Sequence, residues 1–409
     1  MLNVEGYVRS LLERVQPLEP FPISLLESRG CVIAEDVTAP WPLPAFDSAA
    51  VDGYAVLLED VHAAHQANPI HLGVSDILTA GVRPGRALIP GNAIRVSAGS
   101  PLPEETEAVI PIEFTDAGVT TVSIHQSAVL GQFIRRTAED VAVGDVVVTS
   151  GSQVDARVLG LLAAIGRGSV VARPRPRVVV VSVGAELVEP GAPLTAGKIA
   201  DSNGVMLSAA IAEAGGTAYR VGPVVDEPTQ LHRVLEDQQV RADMIIVTGG
   251  SNASTYEVIR NVCSELGEVE FNRVAMQPGT AQGFGFIGDE NIPVLVLPGN
   301  PVAAYVSFEV IVRPLLRHLQ GYDQSVSALI SAQCMNSFSS PAGRKHYVRA
   351  MREVGPGGTH VVRAIDDQSS HLVASLARTE CLIVVPEVVV EVREGDVVDV
   401  LLLSDTALW

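Results

Sequence analysis

Three uninterrupted apolar runs constrain the fold of this chain more than any other feature. They cover residues 178–183, 244–247 and 294–297. Helix patterns alternate with these runs, one over residues 204–214 behind the capping residue Asp201 and one over about residues 302–318. Strands that are apolar on both faces and alternate with helices are typical of a parallel sheet covered on both sides. The sequence therefore predicts an α/β domain.

The 409 residues exceed what one hydrophobic core usually supports, so we expect several domains. An amphipathic helix carries Val8 and Leu11 near the start, and a second helix pattern begins at 152–155 and ends at Gly166. We predict that these two helices pack together around an inserted β-rich module. The predicted parts are a discontinuous helical N-terminal domain (1–54 and 138–173), the β-rich module (55–137), the parallel-sheet domain (174–322) and a small C-terminal β-barrel domain (323–409).

The C-terminal prediction depends on two β-type runs, at residues 384–392 and 397–403. Composition excludes other classes of protein. The net charge of -19 argues against a broad nucleic-acid or anionic-membrane surface, because binding phosphates needs a clustered cationic face. The four cysteines are far apart and are expected to be buried free thiols. With no signal-peptide pattern and no long apolar run, we expect a cytoplasmic protein.

Small or polar residues follow each of the three predicted parallel strands. The segments are Val183-Gly-Ala-Glu186, Val247-Thr-Gly-Gly-Ser-Asn252 and Leu297-Pro-Gly-Asn-Pro301. Ligands of open α/β sheets bind outside the carboxyl ends of the strands, where loops and helix N-termini supply N–H donors. One Gly-Gly turn can be mere chain geometry. Three such ends in one domain predict a pocket for an anionic group.

Several longer segments carry a family resemblance. Pro44-Ala-Phe-Asp-Ser-Ala-Ala-Val-Asp-Gly-Tyr-Ala55 resembles the P-P-F-D-N-S-A-M-D-G-Y-A segment of the molybdopterin molybdenumtransferase and gephyrin E-domain family. Further matches follow in the family's order: Gly99-Ser-Pro-Leu-Pro103, Phe133-Ile-Arg-Arg-Thr-Ala-Glu-Asp140, Gly197-Lys-Ile-Ala-Asp-Ser-Asn203, Pro298-Gly-Asn-Pro301 and Gly343-Arg-Lys-His-Tyr-Val-Arg349. The resemblance spans nearly the whole chain. It implies an elongated homodimer that cleaves adenylylated molybdopterin with Mg²⁺ and places molybdate on the dithiolene, releasing AMP.

The resemblance also implies site residues. The catalytic candidates are Asp52, Glu186 and Glu257, and the metal candidates are Asp201 and Glu257. The candidates for binding the molybdopterin ligand are Gly249, Gly250, Ser251, Asp201, Pro298, Gly299, Asn300 and Pro301.

Ordinary structural roles remain open for several of these residues. Asp52 suits a turn, and Asp201 suits a helix N-cap. Glu257 suits a capping box that begins at Ser254. Arg135 and Arg136 could contact a phosphate or cover a strand edge. Lys198, one of two lysines in the chain, lies in the Gly197–Asn203 match.

Some positions depart from the family pattern. Gln277 and Thr280 are neutral where the family has lysines, Ser254 replaces a glycine, and Ala98 replaces a threonine. A cation about 4 Å from a phosphate contributes up to about 4 kcal/mol before desolvation is subtracted. The substitutions therefore predict weaker binding of a pyrophosphate ligand.

Two main hypotheses of function follow, and a third is weaker. The first is a molybdenum insertase. The second is a gephyrin-like dimeric scaffold with no cofactor, which binds a peptide of a membrane receptor or of a tubulin-like cytoskeletal or division protein and is recruited by it. Its groove is expected near Phe338 and Tyr347 in the C-terminal domain. The third is a regulatory protein that holds molybdopterin without converting it.

Overall fold

The computed structural model describes residues 1–250, 253–322, 326–355 and 359–403. The N-terminal part has three helices: α1 (Val4–Arg14), α2 (Leu58–Val61) and α3 (Ala156–Ala164). Its strands are β1 (Phe21–Ser24), β2 (Val32–Ile33), β3 (Val37–Thr38), β4 (Ser48–Ala49), β5 (Gly53–Val56), β6 (Ile70–Leu78), β7 (Asn92–Val96), β8 (Ala108–Pro111), β9 (Thr121–Ile124), β10 (Ile134–Arg135), β11 (Val146–Val148) and β12 (Ser169–Arg173). Strands β5 to β9 form one sheet, in the order β8-β5-β7-β6-β9, which is the predicted inserted module.

The first helix does not pack as predicted. Tyr7 and Leu11 of α1 belong to the core of the α/β domain, whereas Leu162 of α3 lies in a separate cluster with β1, β2 and β12. The prediction that α1 and α3 pack together is therefore wrong. Helical periodicity identified the apolar face of α1 correctly but carries no information on which domain that face covers.

The central part is an α/β domain. Its strands are β13 (Arg177–Val183), β14 (Leu187–Val188), β15 (Ile199–Ala200), β16 (Thr217–Val224), β17 (Met244–Gly249), β18 (Gly267–Arg273), β19 (Met276–Gln277), β20 (Ala281–Ile287) and β21 (Ile292–Pro298). Its helices are α4 (Ser202–Glu213), α5 (Pro228–Gln239), α6 (Ala253–Leu266), α7 (Pro301–Ser307) and α8 (Arg313–Leu319), with one π-helical turn (Phe308–Val312) between the last two.

The main sheet of this domain has the order β16-β13-β17-β21-β20-β18. The first four strands are parallel, as predicted, and β20 and β18 extend the sheet antiparallel at one edge. Alternate residues of β13 enter two different hydrophobic clusters, Val178 and Val180 on one face and Val179 and Val181 on the other. Because both faces are covered, the three apolar runs occupy the fully buried centre of the sheet.

The C-terminal part is a small closed barrel. It contains β22 (Ile330–Cys334), β23 (Phe338–Ser339), β24 (Lys345–Val354), β25 (His360–Ala364), α9 (Val373–Leu376), β26 (Cys381–Val385), β27 (Glu391–Val392) and β28 (Val397–Leu402). Pairing in the order β24-β25-β22-β28-β26, closed by β26 on β24, confirms the predicted barrel. The predicted run at 384–392 is not one strand, because a turn separates β26 from β27. Nowhere in the described ranges does a helix have the length and apolar character of a membrane span.

Candidate functional site

A cavity of about 330 Å³ lies at the carboxyl ends of β13, β17 and β21, where the sequence predicted a pocket. Its lining from the α/β domain includes Ser182, Glu186, Asp201, Asn203, Thr248, Gly249, Gly299, Asn300 and Pro301. Because the strands are parallel, these segments meet at one edge of the sheet although they span more than 100 residues of sequence.

Asp201 is buried at the floor of this cavity, with 1% of its surface exposed. As predicted, it caps α4, and its Oδ1 accepts a hydrogen bond from the Gly204 N–H at 2.9 Å. Its Oδ2 accepts another from Arg220 Nη1 at 3.0 Å. Arg220 also forms an ion pair with Glu189, and this pair, together with Asp201, raises the pKa of the guanidinium. Both oxygens of Asp201 thus have structural partners.

Glu186 is half-buried on the cavity wall. Its carboxylate folds over Gly184, where a Cβ atom would lie 2.6 Å from Glu186 Oε2. Glycine at position 184 therefore provides the space for this acid. Lys198, which is exposed, donates a hydrogen bond to the Ala185 carbonyl and so stabilises the same turn.

Asn203 joins two strand ends and was not among the predicted site residues. Its Nδ2 donates to Thr248 Oγ1 at 2.9 Å and to the Gly299 carbonyl at 2.8 Å. Its sequence signal was its place two residues after the helix cap Asp201, because helix N-termini in open α/β domains lie where ligands bind.

The glycine turns approach their neighbours closely. A Cβ atom on Gly249 would lie 2.6 Å from the Val183 carbonyl oxygen, and Gly250 has a φ of +71° beside Tyr256. Only glycine fits both conditions without strain. Ser251, the next predicted binding residue, lies outside the described residues. In the third turn, Pro298 ends β21 and Pro301 begins α7, with Gly299 and Asn300 between them.

The C-terminal barrel supplies the remaining wall of the cavity, through His371 and Val373. Ser370 connects it to the α/β domain: Asn300 Nδ2 donates to Ser370 Oγ, and the Val302 N–H donates to the Ser370 carbonyl, both at 3.2 Å. This contribution could not be predicted from sequence patterns, because the two regions are about 70 residues apart and meet only through domain packing.

Two of the predicted acids lie elsewhere. Glu257 is exposed on α6 and does not line the cavity. The capping box proposed for it is wrong, because α6 already includes Ser254. Asp52 is exposed in the N-terminal part, where its Oδ1 accepts a hydrogen bond from the Ala98 N–H at 2.7 Å. A further acid, Asp226, follows β16 and accepts a hydrogen bond from Thr255 Oγ1 at 2.6 Å.

The two adjacent arginines also lie outside the cavity lining. Arg136 forms an ion pair with Asp47 at 2.6 Å, and Arg135 is exposed on β10. Among the residues described, no group of three His, Cys, Asp or Glu is placed to hold a metal ion. The four cysteines are buried and free.

Comparison with known proteins agrees with this architecture. Models of three regions match in succession: the MoeA N-terminal region (domain I and II) over residues 2–166, a probable molybdopterin binding domain over 179–318, and the MoeA C-terminal region (domain IV) over 331–403. Molybdopterin molybdenumtransferase 1 of Mycobacterium tuberculosis is 40% identical over 405 residues, covering 94% of this chain and 95% of the relative. The chain belongs to the MoeA family of molybdopterin molybdenumtransferases.

More distant MoeA-family relatives share the whole architecture. The molybdopterin molybdenumtransferase of Bacillus subtilis is 32% identical over 388 residues, covering 94% of this chain and 90% of the relative. A crystal structure of a molybdopterin biosynthesis MoeA protein from Pyrococcus horikoshii matches with a TM-score of 0.82 at 29% identity, over 100% of both chains. The predicted family and multidomain α/β fold are therefore confirmed.

Two of the positions that depart from the MoeA-family pattern have defined hydrogen-bond partners, Gln277 and Thr280. Gln277 Oε1 accepts a hydrogen bond from Arg344 Nη1 at 3.2 Å, so a guanidinium lies beside the neutral residue. Thr280 Oγ1 donates to the Met276 carbonyl at 2.9 Å, which commits that hydroxyl to its own turn. A cation is thus still present next to one of the two positions where the family has lysine.

Proposed function

We propose that this MoeA-family chain inserts molybdate into adenylylated molybdopterin and releases AMP. The main support is the cavity at the strand ends, which gathers Glu186, Asp201, Asn203 and the Asn300 turn in one space of about 330 Å³. The relatives from Mycobacterium tuberculosis and Bacillus subtilis are molybdopterin molybdenumtransferases, which agrees with this reaction. The cavity is lined by polar groups from each of three parallel strand ends, which suits a ligand with phosphate and heterocyclic parts.

The proposed roles follow from placement. Glu186 is the candidate acid or base on the cavity wall, where it is half-buried. Gly249 and Gly299 line the cavity and have no side chains, so their turns would offer main-chain groups to the ligand. Asn300 and Pro301 shape the same wall.

Magnesium, proposed on Asp201 and Glu257, does not fit one chain taken alone. Asp201 is already paired with Arg220, and Glu257 lies outside the cavity lining. We retain magnesium only for a homodimer in which a second copy contributes its Asp52, as the family resemblance implies. When bound, the magnesium ion would neutralise charge on the pyrophosphate. The roles proposed for Glu186 and the glycine turns do not require it.

We propose Arg344 as the cation that compensates for the neutral position 277, although neither residue lines the cavity of one chain. Its guanidinium contacts Gln277, so its charge is available beside the position where a family lysine would lie. Arginine is well suited to phosphate and oxyanion recognition, because its planar donors form paired hydrogen bonds.

The reaction can be tested directly. Purified protein with adenylylated molybdopterin, molybdate and Mg²⁺ should release AMP, and Glu186→Gln should slow release while leaving the fold intact. The exposed Glu290→Gln serves as the matched control. Tight binding of molybdopterin without AMP release at any magnesium concentration would contradict this proposal. It would favour a regulatory protein that holds molybdopterin without converting it.

A scaffold remains the second candidate because of a separate, mainly apolar groove of about 360 Å³. It lies between α1, the π-helical turn and the barrel, and it is lined by Val8, Leu12 and Tyr347 among others. Phe338, the other residue predicted there, does not line it. An apolar groove suits a short peptide segment, for which we propose a membrane receptor or a tubulin-like protein as the source.

The scaffold proposal has its own test. A peptide partner recovered by the wild-type protein should be lost with Leu12→Asp, which places a charge in the groove, and kept with Glu13→Lys on the exposed face of α1. Equal recovery by both variants would show that the groove is not the binding surface. A cytoplasmic location remains a prediction from the sequence.

A further inference from the structure

The last described strand of the barrel ends between two neighbouring pockets. Leu401 of β28 lines the apolar groove of about 360 Å³ beside α1, whereas Leu402 and Leu403 line a second, more polar pocket of about 400 Å³. Ser327 lines both. Leu401 and Leu403 are two residues apart, so their Cα atoms are within about 7 Å of each other. The described chain therefore ends where the two pockets adjoin.

One wall of the apolar groove is uncovered. Val326 and Leu329, which precede the first barrel strand, are 59% and 47% exposed although both line the groove. Val8 and Leu12 of α1 line the same space. Apolar side chains that line a groove together and remain exposed usually mark a contact surface. An occupant with large apolar side chains would bury this wall.

The chain itself contains a segment with the required length and composition. Six residues follow Leu403, Ser404-Asp-Thr-Ala-Leu-Trp409, and they lie outside the described residues. Six extended residues span about 20 Å, which is about three times the separation of Leu401 and Leu403. The second half of the segment, Ala407-Leu-Trp409, is apolar, and a tryptophan side chain buries a large area when it enters a groove. The segment is therefore long enough and apolar enough to fill the groove.

The more polar pocket offers a cation to the one acid of this segment. Arg317 lines the pocket, its Nη1 donates to Ser327 Oγ at 3.3 Å, and its guanidinium lies 5.3 Å from the centre of the Tyr322 ring. Glu213, the acid in the same lining, is exposed, and among the described acids none forms an ion pair with Arg317. Asp405 follows the last described residue by two positions, so its carboxylate is within reach of this guanidinium.

We propose that residues 404–409 fold back from the end of the barrel and insert Leu408 and Trp409 into the apolar groove, with Asp405 paired to Arg317 on the way. The groove between α1 and the barrel thus holds a segment of its own chain. A peptide partner of the kind that the scaffold hypothesis requires would have to displace this segment. The contact itself depends neither on molybdate insertion nor on the existence of such a partner.

Fluorescence tests the contact in the full-length protein. The chain has two tryptophans, so Trp41→Phe leaves Trp409 as the only one. Its emission should lie at shorter wavelength than that of the free peptide of residues 404–409, and acrylamide should quench it less. Leu329→Asp, which places a charge in the groove at an exposed position, should move the emission to that of the free peptide. Leu194→Asp, at a position that is 64% exposed and lines neither pocket, is the matched control.

Two results of this experiment would overturn the proposal. One is emission of Trp409 equal to that of the free peptide before any change in the groove. The other is the same emission from the Leu329→Asp and Leu194→Asp variants. Dilution separates the groove of the same chain from that of a second copy: emission that does not change on dilution supports the proposal, and emission that moves towards that of the free peptide contradicts it.

A second test removes the segment. Strand β28 ends at Leu402, so a chain that ends at Leu403 keeps every described strand of the barrel. A labelled peptide of residues 404–409 should bind this shortened chain at least about tenfold more tightly than the full-length chain, because the tethered copy competes at high effective concentration. Equal binding to the two chains, or no binding to the shortened one, would overturn the proposal.

The same peptide tests the ion pair. A peptide with Asp405→Lys should bind the shortened chain more weakly than the natural peptide, because it brings a second cation to Arg317. Equal affinity of the two peptides would refute the pairing with Arg317. These outcomes are independent of turnover: buried Trp409 in a protein that releases no AMP would refute only the proposed insertion of molybdate.

Discussion

Asp201 and Arg220 form a hydrogen-bonded ion pair at 3.0 Å beneath the candidate site, with 1% of the Asp201 side chain exposed. The carboxylate also caps α4, and Arg220 connects it to Glu189 on the outside. Asp201, which the family resemblance assigned to metal binding, thus has a structural role in the wall of the cavity.

We expect Arg220→Met to destabilise the protein by about 3 kcal/mol, because it leaves the buried Asp201 carboxylate without its cation. Asp201→Asn should cost less, since the amide oxygen can still cap α4. Urea unfolding of both variants gives the measurement. If Arg220→Met is as stable as wild type, the ion pair contributes nothing to the free energy of unfolding.

Gly184→Ala should reduce activity although it replaces none of the candidate acids. The added methyl group would lie 2.6 Å from Glu186 Oε2, so the carboxylate must move away. We expect a loss of about tenfold to a hundredfold in kcat, in the range of a displaced acid or base. Gly160→Ala, a change in a helix with open space around the glycine, is the control. Equal activity of the two variants would exclude a role for the position of Glu186.

Arg344→Ala should weaken binding of a pyrophosphate ligand by about tenfold, the effect of one charged hydrogen bond. Gln277→Lys in the same background should recover part of this affinity, because it returns a cation to the neighbouring position. Calorimetry with adenylylated molybdopterin provides the affinities. The exposed Arg378→Ala controls for the overall change of charge. If Gln277→Lys recovers no affinity, a cation at position 277 does not contact the ligand.

His346 should make the stability depend on pH. Burial in the barrel lowers its pKa from 6.5 to about 4. The unfolded chain therefore binds a proton between these values that the folded chain does not. The contribution of neutral His346 is complete above pH 6.5 and is lost as the pH falls towards 4, by at most about 3 kcal/mol. In urea unfolding at pH 5 and 7.5, His346→Gln should show a smaller difference than wild type. Identical differences would contradict this expectation.

Local patterns in the sequence were sufficient to predict the secondary-structure elements that position the site. The apolar runs predicted β13, β17 and β21, and the polar residues after them predicted the cavity at their carboxyl ends. Asp201 was correctly identified as a cap, because capping depends on residues three positions apart. Glu257 was expected at the site, but it is exposed on α6, which begins at Ala253, and it does not line the cavity of one chain.

The family, the parallel strands and the chemical character of the strand ends were predictable from the amino-acid sequence, because they follow from periodicity and from motifs in contiguous segments. Three contacts could be known only from the folded molecule: the packing of α1 into the α/β core, the hydrogen bond of Arg344 to Gln277, and the closure of the cavity by His371 and Val373 of the barrel. Such contacts join segments up to hundreds of residues apart, and their energies arise from packing and desolvation that exist only once the domains have met.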